Sequence, residues 1–174
     1  MKIPPRMSIA LDEETIRIFN KHKENYSSAS ELFRELLRFF DQFGFLREHD
    51  PFKIKTYVEM LSEGEHIILD IDHWITFLRF MRTHPEKEKF WELHEKISES
   101  HAEEFQGRDA EFILKRLEAC NFFRLNVKSG EYTLVLANDE VKDFVRGFLS
   151  SVFGRMNIKA EIKEEVAKLR VRVY

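Results

Sequence analysis

Met7, Ile9 and Leu11 alternate with Arg6, Ser8 and Ala10 in a run short enough for a single strand, and the residues that follow offer it no partner. Period-two alternation sends one set to each face of a strand, and Pro4 and Pro5 limit it at its start because proline cannot donate to a ladder. Asp12 is a good N-cap, and Glu13 and Glu14 suit the positive end of a helix running to about Lys23, with Ile16 and Phe19 on its apolar side. Asn25-Tyr26-Ser27 interrupts it. Ser28, with Glu31 three places on, forms a capping box that opens a second helix. Along that helix Ala29, Leu32, Phe33, Leu36, Phe40 and Phe43 recur at steps of three and four, and Gly44 is a natural stop. One isolated strand cannot satisfy its own backbone groups, and two short helices cannot bury this much Leu and Phe. A second copy of the chain resolves both problems: the strands pair, and the helices close one shared core. Met7, Ile9, Leu11, Leu32, Leu36 and Phe40 are the expected dimer core.

The strand Arg6-Met7-Ser8-Ile9-Ala10-Leu11-Asp12 and the turn Tyr26-Ser27-Ser28-Ala29-Ser30-Glu31-Leu32 resemble those of ribbon-helix-helix transcription factors. The resemblance covers Arg6 to Phe40. It implies an intersubunit β-ribbon that enters the major groove of double-stranded DNA. Arg6, Ser8 and Ala10 then face base edges: Arg6 can donate twice to guanine, Ser8 can bond to several bases, and Ala10 can touch a thymine methyl. Family strands usually carry a larger polar or basic side chain at the position of Ala10, so readout here rests on few contacts. Backbone N–H groups at Ser27, Ser28 and Ala29 lie at a helix start suited to a phosphate, and Lys2 and Lys23 are further phosphate contacts.

Charge speaks first against a nucleic-acid partner, since the formal net charge is −3. Phosphate binding depends on where the positive groups sit rather than on their sum. Up to Leu11 the only charged side chains are Lys2 and Arg6, and acidic residues begin at Asp12. The single cysteine, Cys120, cannot form an intrachain disulfide, so a reducing cytoplasm is the expected setting. No apolar run is long enough for a membrane span, and no apolar signal core opens the chain.

The length of 174 residues suits one or two domains. The polar stretch Arg47 to Pro51 separates a ribbon-helix-helix domain over 1–48 from an α/β domain over 49–174, and the whole is expected to be α+β. In the second domain, patterning predicts helices over Phe52–Leu61, His73–Arg82, Glu86–Phe105, Asp109–Ala119 and Asn138–Met156. It also predicts a strand over His66–Asp70, a hairpin Phe122–Val127/Tyr132–Leu136 through Ser129-Gly130, and extended segments over Ala160–Ile162 and Lys168–Tyr174.

No catalytic motif stands out after Pro51, and neither an enzyme activity nor a metal or cofactor is expected. His94 and His101 share a helix face with Glu95 and Glu99 nearby, but a seven-residue step is poor for one metal, and a solvated helix side is the simpler reading. Asp70, Asp72 and His73 cluster, and Asp72 beside a helix start reads as an N-cap. Cys120, at an apolar helix end, reads as a buried inert thiol.

The order helix, hairpin, helix, two terminal strands, together with Phe144 to Gly154, resembles the 4-vinyl reductase small-molecule-binding domain. The cysteines and glycines usual in that domain's final hairpin are missing from Ala160 to Tyr174, which counts against a metal or cofactor. The resemblance implies an apolar pocket or a further dimer contact. Seventeen phenylalanines, among them Phe112, Phe122, Phe123, Phe144, Phe148 and Phe153, supply a core with some to spare. The expectation is therefore a homodimeric, cytoplasmic DNA-binding repressor whose second domain senses a small apolar effector or joins two dimers into a tetramer. An antitoxin-type regulator, and a dimeric interaction or ligand-binding module without DNA binding, remain as alternatives. Antitoxin tails are usually short and disordered before binding, unlike the patterned sequence here.

Overall fold

The computed structural model describes residues 5–64 and 66–174. The fold is mixed α and β, with seven α-helices and one four-stranded antiparallel sheet among the described residues. The chain divides into two compact units, one ending at His49 and one beginning at Asp50.

Among its described residues the first unit forms helices and 3₁₀ turns and no strand. Helix α1 (Glu13–His22) starts where the Asp12 side chain accepts from the Thr15 N–H at 2.7 Å, and it ends in a 3₁₀ turn over Lys23–Asn25. Helix α2 (Ala29–Phe43) begins at the Ser28 cap and runs on into a second 3₁₀ turn, Gly44–Glu48. Gly44 is the C-cap where α2 stops, as expected, with φ at −59° rather than in the left-handed region, so the chain tightens into the 3₁₀ turn. The predicted strand over Met7–Leu11 is absent: residues 5–11 have no regular structure. The reason is physical, because a strand is defined by its ladder and a single copy of this unit holds no second strand to supply one.

The second unit has a complete core. Helices α3 (Pro51–Ser62), α4 (Ile71–Thr83), α5 (Lys87–Glu104) and α6 (Ala110–Ala119) come first. Strands β1 (Arg124–Lys128) and β2 (Glu131–Val135), helix α7 (Lys142–Arg155), and strands β3 (Ala160–Glu165) and β4 (Lys168–Val173) follow. Asp50, Asp70 and Asp109 cap α3, α4 and α6 by accepting from backbone N–H groups two or three residues on, which satisfies donors a helix start leaves free. The sheet order is β1-β2-β4-β3. Ser129 and Gly130 both take positive φ, 52° and 77°, in the two-residue β1–β2 turn, the geometry that matches strand twist.

Alternation divides the sheet cleanly. Leu134, Leu169 and Val171 point inward and are fully buried. On the other side Arg170 reaches Glu165 at 2.8 Å, and Arg172 reaches Glu131 at 3.3 Å. The inner face meets the core that α6 and α7 supply through Ile113, Leu114, Val145, Leu149 and Val152. Helices α5 and α7 pack through small residues: Ser98 and Ala102 are fully buried, and a Cβ on Gly147 would sit 3.4 Å from the His94 ring.

Three sequence-based expectations fail in this unit. His66–Asp70 is not a strand. Its β-branched run has the composition of one but sits beside no partner, and Asp70 serves as the cap of α4, which begins at Ile71. Asp72 thus lies inside the helix rather than at its cap. His94 is not on a solvated side either: it is 6% exposed and lies against α7.

Candidate functional site

In the first unit Arg6, Ser8 and Ala10, the expected base contacts, are all exposed, on one stretch without regular structure. Lys23 is also exposed, in the 3₁₀ turn after α1. Lys2 lies outside the described residues. At the start of α2 the Ser28 hydroxyl accepts from the Glu31 N–H at 3.2 Å, as the capping box requires. The Glu31 carboxylate reaches one residue further back than that motif predicts and takes both the N–H and the hydroxyl of Ser27. Those bonds hold the Glu31 carboxyl below its ordinary range. A phosphate at this helix start would therefore have to displace a carboxylate at Ser27, which leaves Ser28 and Ala29 as the better-placed donors.

The expected dimer-core residues are far from buried. Leu32 is covered, but Met7 is 87% exposed, Ile9 54%, Leu36 50% and Phe40 55%. Leu11 is half-buried. Ile16, Leu37, Phe39 and Phe43 add to the uncovered surface. Leu32 is the one buried residue among the described residues of this unit, so its apolar stripe has been built but not closed.

The second unit holds a cavity of about 510 Å³, whose lining includes Phe122, Phe144 and Phe148 of the phenylalanines noted in the sequence. Its walls come from α3, the 66–70 segment, α4, α5, α6 and α7. Aromatic rings form one side: Phe144 lies 4.6 Å from Trp74 edge-on, 4.0 Å from His94 and 6.1 Å from Phe122, centroid to centroid. His101 stands edge-on to Phe148 at 5.5 Å and to His66 at 6.1 Å. Ile68, Leu69, Ile97 and Leu117 supply aliphatic surface.

Polar groups in this lining fall into two sets. Some are satisfied by the protein. The His94 Nε2 and the Phe144 carbonyl are 3.0 Å apart; a carbonyl only accepts, so Nε2 carries the proton. Burial pushes the His94 pKa down, with only a partial offset from that hydrogen bond, and keeps the ring neutral. The same logic places a proton on His101 Nδ1, 2.9 Å from the Ile97 carbonyl. Asn121 donates to the Tyr57 hydroxyl at 2.8 Å and accepts from Lys53 at 2.7 Å. Burial raises the Cys120 thiol pKa, and its Sγ lies 3.5 Å from Met60 Sδ; this is a protonated packing thiol rather than a nucleophile. The second set has no partner. Trp74 Nε1 and His66 Nδ1 are both buried and unbonded.

Among the described residues no three His, Cys, Asp or Glu side chains gather as a metal site, and no helix is long and apolar enough to cross a membrane. No family model, curated protein or solved structure matches the chain.

Proposed function

We propose that the chain is a homodimeric DNA-binding transcriptional regulator, a repressor, with a head over its first 49 residues and a ligand-sensing unit behind it. One observation carries this reading: the head leaves the apolar faces of α1 and α2 uncovered and opens in a stretch, residues 5–11, without regular structure. A second copy satisfies both at once. It pairs residues 7–11 into an antiparallel ribbon and covers Leu36 and Phe40, and the same pairing turns Arg6, Ser8 and Ala10 to one outer face. A two-stranded ribbon of that kind fits the major groove. An effector held by the second unit changes DNA affinity by the difference in its own affinity for the DNA-bound and free forms.

A second reading, a dimerisation module without DNA binding, is favoured by the Glu31 carboxylate at Ser27 and the net charge of −3. Selection of full-length protein against a randomised DNA pool separates the two. The regulator enriches a two-fold-related motif, and Arg6→Ala lowers discrimination at one position by about 1–3 kcal/mol, leaving the fold intact. Recovery of no motif, or identical binding by Arg6→Ala and wild type, supports the module.

A further inference from the structure

We infer that the cavity in the second unit is a binding site for an uncharged, largely apolar molecule that presents a hydrogen-bond acceptor, such as a ketone, ether or phenol oxygen, to Trp74 Nε1. The inference deepens the sensing role proposed above by naming the ligand class. Its test uses no DNA, so its failure and the failure of the DNA reading are told apart.

Size comes first. A volume of about 510 Å³ lies within the range of small-molecule sites and exceeds what packing leaves by chance. Chemistry follows from the two unbonded atoms. An indole N–H only donates, so whatever completes Trp74 must accept. Buried donors are almost always paired, and this one is buried and unpaired on a residue that lines the cavity. His66 Nδ1 stands in the same condition and can take either role according to tautomer. Two unpartnered polar atoms in a mostly aromatic and aliphatic lining are the sparse orienting groups that ligand sites carry.

Charge on the ligand is disfavoured by the surroundings. Phe144 stands against Trp74 and the neutral His94 ring against Phe144, and neither compensates an ion. Glu104 and Arg116 also line the cavity with opposite formal charges, so the lining has no net sign to offer an anion or a cation.

The experiment uses two probes of nearly equal shape, benzophenone and diphenylmethane, which differ by one carbonyl acceptor, and a charged relative, 2-benzoylbenzoate. Binding to full-length protein is measured by calorimetry, for wild type and for Trp74→Phe. The expected result is one site per chain for benzophenone and for diphenylmethane, with the benzoate at least tenfold weaker than benzophenone. Trp74→Phe is expected to weaken benzophenone about tenfold or more and to change diphenylmethane little. Retained diphenylmethane binding shows that the variant is folded. Equal shifts for both probes would mean that the N–H is already occupied, for example by the Phe144 face, and would overturn the acceptor role. No binding of either neutral probe to wild type, or preference for the benzoate, would overturn the site itself.

Discussion

The uncovered head makes a quantitative demand on Leu36 and Phe40. Leu36 is 50% exposed and Phe40 55% in a single copy, so about half of each side chain is left for a partner to cover. Full burial of a Leu or Phe is worth about 1.5–3 kcal/mol, and half of that is about 1 kcal/mol per side chain. Each residue occurs twice in a dimer, which makes about 2 kcal/mol per position and about 4 kcal/mol for the pair. The double variant Leu36→Ala/Phe40→Ala should therefore raise the dimer dissociation constant about a thousandfold. Sedimentation equilibrium on full-length protein over a wide concentration range measures it. Phe80, 70% exposed on α4, serves as the control: Phe80→Ala removes an exposed phenylalanine from the other unit and should leave the constant unchanged. If the double variant dimerises as wild type does, the head is not the dimer interface.

Two further outcomes follow from the α5–α7 contact. Gly147→Ala should be close to neutral for thermal stability, because its Cβ would meet the His94 ring at 3.4 Å, an ordinary contact; Gly147→Val adds atoms where none fit and should cost about 1–3 kcal/mol. Stability should also fall on acidification through the His94 titration. Burial sets the folded pKa of His94 below its unfolded value near 6.5, so the unfolded chain binds the extra proton first. The contribution is whole above that unfolded value and is lost as pH falls through the folded one. Denaturant melts across this window should show a shallower decline for His94→Gln than for wild type.

Local rules were legible in the sequence wherever partners lie close along the chain. Ser129-Gly130 announced the hairpin, and the helix expected over Glu86–Phe105 is found over Lys87–Glu104. The errors occur where the deciding partner is distant along the chain or where the chain supplies none. Met7–Leu11 alternates as a strand should, yet a ladder needs a second strand. His66–Asp70 carries strand residues but lies outside the sheet, whose order is β1-β2-β4-β3. His94 has no sequence mark of burial, because what buries it is α7, fifty residues on at Phe144. An apolar pocket was expected, but most of its walls were not legible for the same reason, since six separate segments contribute to it. A further signal was His66-Ile67-Ile68-Leu69, an apolar run ending at a helix cap with no strand nearby to claim it.

The Ser98–Ala102–Gly147 seam also fixes which side of the cavity can yield. Helices in backbone-close contact through small residues have little side chain to rearrange, so α5 and α7 behave as a stiff wall. The opposite side is soft: Ile67 is 84% exposed and Ile68 73%, and Ile71 and Phe77 on α4 are half open to solvent. An occupant larger than the resting volume would be accommodated there, by displacement of the stretch that leads into α4. Mechanical work done by a ligand would leave the unit through α4 and its cap at Asp70, while the sheet and its charged outer face stayed still.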